Sequence, residues 1–287
     1  MKREPHQSVA RKQELLKVSV KISTVQMRFT GDVPGNRDRI LDYIGRAAEA
    51  GSHIVHFSEV ALTGYAGSDI ETNDCIDWES VEDAIDQVRA EAENKKIWVV
   101  LGTAYLAGEG LKPYNSLVLI DDTGVVTGRY DKIFCTASDV RHYSSGRNFV
   151  SFSVKGIRCG LLICYDFRFP ELYREYLKRN VQIVFHSFHQ VQDKVNQLMQ
   201  DVGPAHLISR AAENFMYVVA NNCINKPHQW WGTRVINPDG SVRKQLEINT
   251  EGMLTCEIDP VAERKGYYDA THENRYRATT GILYSEL

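Results

Sequence analysis

Apolar and polar residues along the chain form strand-like segments and helix-like segments, and these two kinds of segment alternate. The segment at 18–29 is rich in β-branched residues, which favours a strand. In NRDRILDYIGRAAEAG, which begins at Asn36, apolar residues recur every three or four positions and Gly51 closes the run. This pattern predicts a helix, and a second helical stripe is predicted at 78–94.

The remaining segments continue this alternation. Further strands are predicted at 53–59, 96–106, 181–188, 215–223, 233–244 and 252–259, hairpins at 114–132 and 149–164, and helices at 169–180 and 193–214. Gly203 and Pro204 are expected to interrupt the last helix. Helices that alternate with strands and hairpins predict an α/β fold with sheets inside and helices outside. We therefore expect an N-terminal extension at 1–17 and a single domain at 18–287, with a C-terminal tail from about 261.

Composition narrows the class of protein. Of the 287 residues, 43% are hydrophobic, which is enough for a large core, and the formal net charge is −3 without a basic stripe. We therefore expect no nucleic-acid partner. No apolar run approaches a membrane span, and the charged N-terminus does not resemble a secretory signal, so no membrane association is expected.

The cysteines and histidines suggest no disulfide framework and no metal. The six cysteines are irregularly spaced and contain no CxxC pair, which favours reduced thiols and a cytoplasmic protein. The nearest candidate for a zinc site is His186 and His189 with His206 farther on. Because a structural zinc site usually has four ligands, thiolates among them, we expect neither a metal nor a cofactor.

Three ionisable residues follow apolar strands at widely separated places. Cys164 ends GLLIC, Glu59 ends HIVHFSE and Lys132 follows the hairpin strand GRYD. A cysteine there is by default a small buried apolar residue. Nucleophilic cysteine chemistry requires a proton acceptor and an oxyanion donor, which Glu59 and Lys132 would supply if the fold brings the three together. A cationic Lys132 would also lower the pKa of the thiol.

The blocks that contain these residues carry a family resemblance. FSEVALTGY, GRYDKIF and GLLICYDFRFPELYR are similar, in this order, to the signature blocks of the nitrilase superfamily, the carbon–nitrogen hydrolases. The later segments GPAHLISRAAENFMYVVANNC, INPDG and EGMLTCEIDP also fit, and CYDFRFPELYR most resembles the amidase branch that includes ω-amidases and Nit-type proteins.

The resemblance implies a Glu59–Lys132–Cys164 triad, with the backbone N–H of Tyr165 as a second oxyanion donor. It also implies a four-layer αββα sandwich with two mixed β-sheets that forms a homodimer, or a higher homo-oligomer, through its helices. The implied reaction is hydrolysis of a small linear carboxamide through a cysteine thioester, with release of ammonia.

Two segments depart from the family pattern. Where the family carries a second glutamate, this chain has SDVRHYSSG, and Asp139 is the nearest equivalent. In FHSFHQ, the residues His186, Phe188 and His189 are candidates for the substrate pocket or for local hydrogen bonding. Arg168 could contact a substrate carboxylate or pair with a nearby acid.

Other functions remain open at this point. N-carbamoyl hydrolysis and nitrile hydrolysis would use the same triad with different pocket walls. A catalytically weak binding or scaffold protein would keep the fold without turnover, and a metal-dependent hydrolase is a more distant alternative.

Overall fold

Two six-stranded sheets form the centre of the molecule. The computed structural model describes residues 18–106, 108 and 111–260. The first sheet contains β1 (Val20–Gln26), β2 (Ile54–His56), β3 (Trp98–Tyr105), β4 (Tyr114–Ile120), β5 (Val126–Asp131) and β14 (Gly252–Ile258). The second contains β6 (Ser151–Val154), β7 (Ile157–Ile163), β8 (Ile183–Ser187), β10 (Tyr217–Asn221), β12 (Arg234–Ile236) and β13 (Val242–Gln245). A small ribbon pairs β9 (Val191–Gln192) with β11 (His228–Gln229).

Both sheets are mixed, and they are built alike. The first has the order β14-β1-β2-β3-β4-β5, and the second has the order β13-β12-β10-β8-β7-β6. In each sheet three central strands run parallel and the flanking strands are antiparallel. Parallel neighbours need helical crossovers, which accounts for the strand–helix alternation read from the sequence.

Helices cover the outer faces of the two sheets. They are α1 (Val33–Glu49) and α2 (Trp78–Lys95) on the first sheet, and α4 (Pro170–Lys178) and α5 (Gln197–Asn214) on the second. The short helix α3 (Asp139–His142) and the 3₁₀ turns at Asn73–Cys75 and Cys164–Arg168 lie in the connections between these elements. Because side chains alternate along a strand, Val99 and Leu101 of β3 pack with α1 and α2, whereas Val100 packs towards the second sheet. The helices α4 and α5 pack on that sheet's outer face. The predicted α/β fold, a four-layer αββα sandwich, is confirmed.

A buried polar network joins the two sheets near the ends of their parallel strands. The His56 ring lies 2.7 Å from Ser187 Oγ of the opposite sheet and 3.2 Å from Thr24 Oγ1. The Asn221 amide donates to the carbonyl of Val25 at 2.6 Å. Burial lowers the pKa of His56 to about 3, so this ring is neutral. The network fixes the registry of the two sheets beside the site described below.

The elements differ from the sequence-based prediction at some boundaries. The first strand ends at Gln26 rather than at 29, and α5 begins at Gln197 rather than at 193. Pro204 does not interrupt α5, because the helix is held by packing: a Cβ at Gly203 would lie 2.1 Å from the ring of Trp231. The extension at 1–17 and the tail from about 261 lie outside the described residues, and the domain bounds stay a prediction.

Candidate active site

Cys164 lies at the abrupt end of a buried strand. β7 is paired on both sides in the second sheet, and a 3₁₀ turn begins at Cys164 directly after it. The φ angle of Cys164 is 44°, in the left-handed region, which costs a non-glycine residue about 1–3 kcal/mol. Cys164 is 5% exposed. Such backbone strain clusters at functional sites, and here it turns the chain sharply at the carboxyl ends of the parallel strands.

The side chain of Asp166 fixes this turn through hydrogen bonds. Its carboxylate accepts hydrogen bonds from the Ile163 N–H at 3.1 Å, the Phe134 N–H at 2.9 Å and the Tyr130 hydroxyl at 2.8 Å. Burial raises the pKa of Asp166 to about 6, although these bonds act in the opposite direction. The turn of Cys164 is thereby tied to the segment that follows Lys132.

Lys132 follows β5 and lies between two acids. Its Nζ is 2.8 Å from Glu59 Oε1 and 2.8 Å from Asp139 Oδ2, and all three side chains are fully buried. Burial lowers the pKa of Lys132, but the surrounding acidic groups, Glu59 first, outweigh it and hold the pKa well above its ordinary value. Because an ammonium has three N–H donors and two meet carboxylates of the described chain, one remains for another acceptor.

Glu59 lies in a turn beyond its strand, not at the strand's end as the sequence predicts. β2 ends at His56, and Val60 has a φ of 48°. Oε1 of Glu59 accepts from Asn115 Nδ2 as well as from Lys132, and Oε2 accepts from the backbone N–H of His189, each at 2.8 Å. Both oxygens are therefore held in fixed directions.

The position of this turn depends on a glycine in the neighbouring strand. A Cβ at Gly102 of β3 would lie 1.9 Å from the Ser58 carbonyl oxygen and 2.9 Å from the Val60 nitrogen. The Gly102 carbonyl also accepts from the Leu62 N–H at 3.0 Å. The segment around Glu59 therefore packs directly on the β3 backbone, which only glycine permits.

Asp139 begins the short helix α3 and reaches Lys132 despite its short side chain. Its Oδ2 accepts from the Thr136 N–H at 2.7 Å, and its Oδ1 accepts from the Tyr65 hydroxyl. Burial opposes ionisation, but Lys132 and these bonds outweigh it, so the pKa of Asp139 lies below its ordinary value. The structure thus brings Asp139 together with Lys132 and Glu59.

The electrostatics of the thiol differ from the expectation. Lys132 does act to lower the pKa of Cys164, but burial and the neighbouring Glu59 outweigh it, and the pKa lies well above its ordinary value. The resting side chain is therefore a neutral thiol. A nucleophile in that state needs a base to take its proton when it attacks.

His189 lies beside these residues. Its Nε2 is 2.9 Å from Asp69 Oδ2, and its ring stacks on Tyr65 with a centroid separation of 4.7 Å. Burial lowers the pKa of His189, but interactions with Cys223 and Asp69 outweigh it and raise the pKa well above the ordinary value. The contact with the Asp69 carboxylate therefore favours the protonated form of the ring.

His186 and Phe188 pack behind the nucleophile. His186 Nε2 is 3.2 Å from the carbonyl oxygen of Cys164, and Nδ1 is 2.6 Å from the Tyr173 hydroxyl. Since a carbonyl only accepts, Nε2 carries the proton and Nδ1 accepts from Tyr173. Phe188 is fully buried and stacks on His186 at 4.2 Å. These two residues contact the protein core, and a pocket role for them stays a prediction.

Tyr165 and Arg168 lie in the 3₁₀ turn after Cys164. The Tyr165 ring packs against Phe169 at 5.5 Å, and the first amides of such a turn have no acceptor within it. Arg168 donates to Met199 Sδ at 3.4 Å and lies over the Phe167 ring. Among the described residues Arg168 makes no ion pair, and its role in the pocket or the loop stays a prediction.

Several residues of this site were not identified from the sequence. Gln190 Nε2 lies 2.9 Å from Cys164 Sγ, and Asn115 and Tyr65 contact Glu59 and Asp139. Tyr65 could have been found, because it ends the block FSEVALTGY. Gln190 ends the unusual segment FHSFHQ, whereas nothing in the sequence around Asn115 marks it.

The described residues contain neither a cluster of metal-ligating side chains nor a helix suited to a membrane. No group of three or more histidine, cysteine or acidic side chains there could hold a metal ion. None of the helices in those same residues has the length and apolar character of a bilayer span.

Known proteins share this sequence pattern. The chain is 29% identical to an (R)-stereoselective amidase from Pseudomonas sp., over 89% of this chain and 92% of that protein. It is 26% identical to the human omega-amidase NIT2, over 84% and 89% of the two chains. It is also 27% identical to a glutamine-dependent NAD(+) synthetase from Aquifex aeolicus, but it spans only 44% of that protein's length.

The fold is shared with solved structures. An amidase from Nesterenkonia sp. superimposes with a TM-score of 0.73 at 23% identity, over 89% of this chain and 95% of that chain. One variant of that enzyme carries the acetamide moiety of fluoroacetamide, added covalently at its active-site cysteine. The carbon–nitrogen hydrolase family model matches residues 21–266. The resemblance to the nitrilase superfamily is confirmed, and the chain belongs to the carbon–nitrogen hydrolase family.

Proposed function

We propose that the protein is an amidase that hydrolyses a small linear carboxamide through a thioester on Cys164. The observation that carries this proposal is the buried Lys132, held at 2.8 Å by both Glu59 and Asp139 and near enough to Cys164 that each group shifts the pKa of the other. Family membership and the amidase relatives support the same reaction.

Acylation begins with the neutral thiol. Glu59 accepts the Sγ proton as the sulfur attacks the carbonyl carbon, and a C–S bond forms. The remaining N–H of Lys132 and the backbone N–H of Tyr165 donate to the oxyanion. Glu59 then returns the proton to the amide nitrogen, the C–N bond breaks and ammonia leaves. The raised pKa of Cys164 is the reason that a base must act in this step.

Deacylation uses the same groups in the opposite sense. Glu59 takes a proton from water, the hydroxide attacks the thioester and a C–O bond forms. The C–S bond breaks as the proton passes to sulfur, which restores the thiol. Because its two oxygens are fixed by Asn115, Lys132 and the His189 N–H, Glu59 keeps one orientation through both half-reactions.

The test is ammonia release from a panel of primary amides, N-carbamoyl compounds and nitriles. We expect ammonia from amides, and none from the Cys164→Ala variant, which should stay folded. Ammonia with carbon dioxide from carbamoyl compounds would indicate the carbamoyl alternative. Wild-type rates in Cys164→Ala would refute the thioester mechanism, and no ammonia from any compound would favour a binding or scaffold protein.

We also propose a homodimer that works in a reducing compartment such as the cytoplasm. The six cysteines all lie within the described residues, and none of them forms a disulfide there. Val195 and Leu198, next to and within α5, are 59% and 68% exposed, which supports a contact through this side of the molecule. Light scattering on wild type and a Leu198→Lys variant tests it, and a wild-type protein that is monomeric at micromolar concentration would contradict the dimer.

A further inference from the structure

Gln190 places a carboxamide against the sulfur of the proposed nucleophile. Its Nε2 donates to Cys164 Sγ at 2.9 Å. The preceding residue, His189, holds Glu59 through its backbone N–H. Two consecutive residues thus contact the sulfur and the base, although the mechanism above gives the Gln190 side chain no role.

The main chain of Gln190 is held on both sides. Its N–H donates to Asn222 Oδ1 at 2.9 Å, and its carbonyl accepts from the Trp230 N–H at 3.0 Å and from Asn222 Nδ2 at 3.2 Å. Gln190 is 9% exposed. With the backbone fixed and Nε2 engaged by sulfur, the planar amide has a defined orientation.

The other end of this amide has an unused acceptor. No described residue donates to Gln190 Oε1, and this oxygen is not among the described side-chain atoms that are enclosed without a partner. Oε1 therefore faces accessible space, and it belongs to the same amide group whose Nε2 contacts the sulfur. A primary carboxamide attacked by that sulfur carries two N–H donors on its nitrogen, whereas an ester carries none there.

We propose that Gln190 is a catalytic residue that accepts a hydrogen bond from the substrate's amide nitrogen and so selects primary carboxamides over esters of the same acid. The bond from Nε2 to Cys164 directs Oε1 towards the leaving group. Amide and ester pass through the same thioester on Cys164, and only the bond that breaks first differs: C–N with loss of ammonia, or C–O with loss of an alcohol. This inference rests on the proposed function.

The experiment compares kcat/KM for a primary amide and the methyl ester of the same acid. Gln190→Met removes the acceptor and the donor with little change of shape. Gln190→Glu keeps an acceptor oxygen but puts a carboxylate beside the sulfur. Gln192→Met, two residues away in β9, is the matched control, and circular dichroism verifies the fold of each variant.

We expect Gln190→Met to lower kcat/KM for the amide by about tenfold to hundredfold, with a loss at least about tenfold smaller for the ester. In Gln190→Glu both rates should fall while the amide-to-ester ratio stays near that of wild type. Gln192→Met should match wild type on both substrates.

The two failures are distinguishable. An active wild-type enzyme whose amide-to-ester ratio is the same in Gln190→Met overturns the role of Gln190 and leaves the amidase proposal standing. A wild-type protein that releases ammonia from no amide overturns the proposed function, and this inference with it.

Discussion

Replacement of Lys132 by methionine removes the charge that separates two buried carboxylates. Glu59 Oε1 and Asp139 Oδ2 both lie 2.8 Å from its Nζ. In the variant, the two acids face each other in a buried site without a counter-charge. One consequence is structural and the other is chemical, and they can be measured separately.

The structural magnitude follows from the complete burial of the group. Removing one partner of a buried ion pair typically costs about 3–5 kcal/mol, because the other charge remains unpaired. For a domain of this size each kcal/mol lowers Tm by about 2–4 °C, which gives a decrease of about 6–20 °C. The Lys178–Glu175 pair is the matched control, since its side chains are 42% and 38% exposed. Lys178→Met should cost less than about 1 kcal/mol.

The chemical magnitude comes from the oxyanion. Loss of one preorganised donor typically lowers kcat by about 10²–10³. Ammonia release from an amide, measured where Lys132→Met is still folded, gives this number. The variant should therefore keep only about 10⁻²–10⁻³ of the wild-type kcat at temperatures at which it keeps its structure.

A double variant tests the electrostatic reasoning. If the unpaired charge of Asp139 causes the destabilisation, adding Asp139→Asn to Lys132→Met should restore at least about 2 kcal/mol of the free energy of unfolding. Urea unfolding of the two single variants and the double variant gives this coupling. A double variant whose loss is the sum of the single losses would refute the argument.

Other predictions address the supports of the site. Gly102→Ala should reduce ammonia release more than about 100-fold, because its Cβ would displace the segment around the proposed base, Glu59. The matched control is Gly45→Ala, whose Cβ would meet nothing within 4 Å. This control should keep full activity, and its free energy of unfolding should rise by about 0.5–1 kcal/mol. A wild-type rate in the first variant would show that this segment can shift freely. The pKa of Asp166, raised to about 6, means that the folded state binds a proton that the unfolded state has already released between pH 4 and 6, so its contribution to stability falls as pH rises through that window. The stability of Asp166→Asn relative to wild type should therefore improve from pH 4 to 6 in thermal unfolding, and an unchanged difference would contradict the raised pKa. Burial acts to raise the pKa of Asp69, but its bond to His189 and its other hydrogen bonds outweigh burial, so the pKa lies below its ordinary value. Asp69→Asn should therefore lose more stability at pH 7 than at pH 3. Equal losses at the two pH values would count against the ion pair.

The alternation of apolar segments predicted helices outside and sheets inside, whereas the four-layer αββα arrangement was implied by the family resemblance. Successive residues Val99, Val100 and Leu101 point to opposite faces of β3, and both faces are buried. In the sequence, a strand that is buried on both faces is an unbroken apolar run. The predicted end of β2, at residue 59, was wrong by three residues, since the strand ends at His56. The sequence could not reveal that the chain leaves the strand at His56, because the cause is the close approach of a turn to Gly102 from another segment.

The site was predictable only where residues sit in recognisable blocks. Glu59, Lys132 and Cys164 were chosen because their blocks resemble those of a known family, and Asp139 was chosen as the nearest acid. The distances between these residues depend on the tertiary fold, and a local sequence pattern does not predict them. The direction of the Cys164 pKa was missed for the same reason: burial outweighs the attraction of one cation, and burial depends on the whole fold.

The most direct test of the account is to trap the intermediate on Cys164. The protein is mixed with a primary amide that it cleaves, quenched in acid within the first turnover and digested for peptide mass spectrometry. We predict that the peptide containing Cys164 gains the mass of the acyl group, the amide less ammonia, and that Cys164→Ala gains none. An acyl group on any other residue, or continued ammonia release by Cys164→Ala, would contradict the central claim.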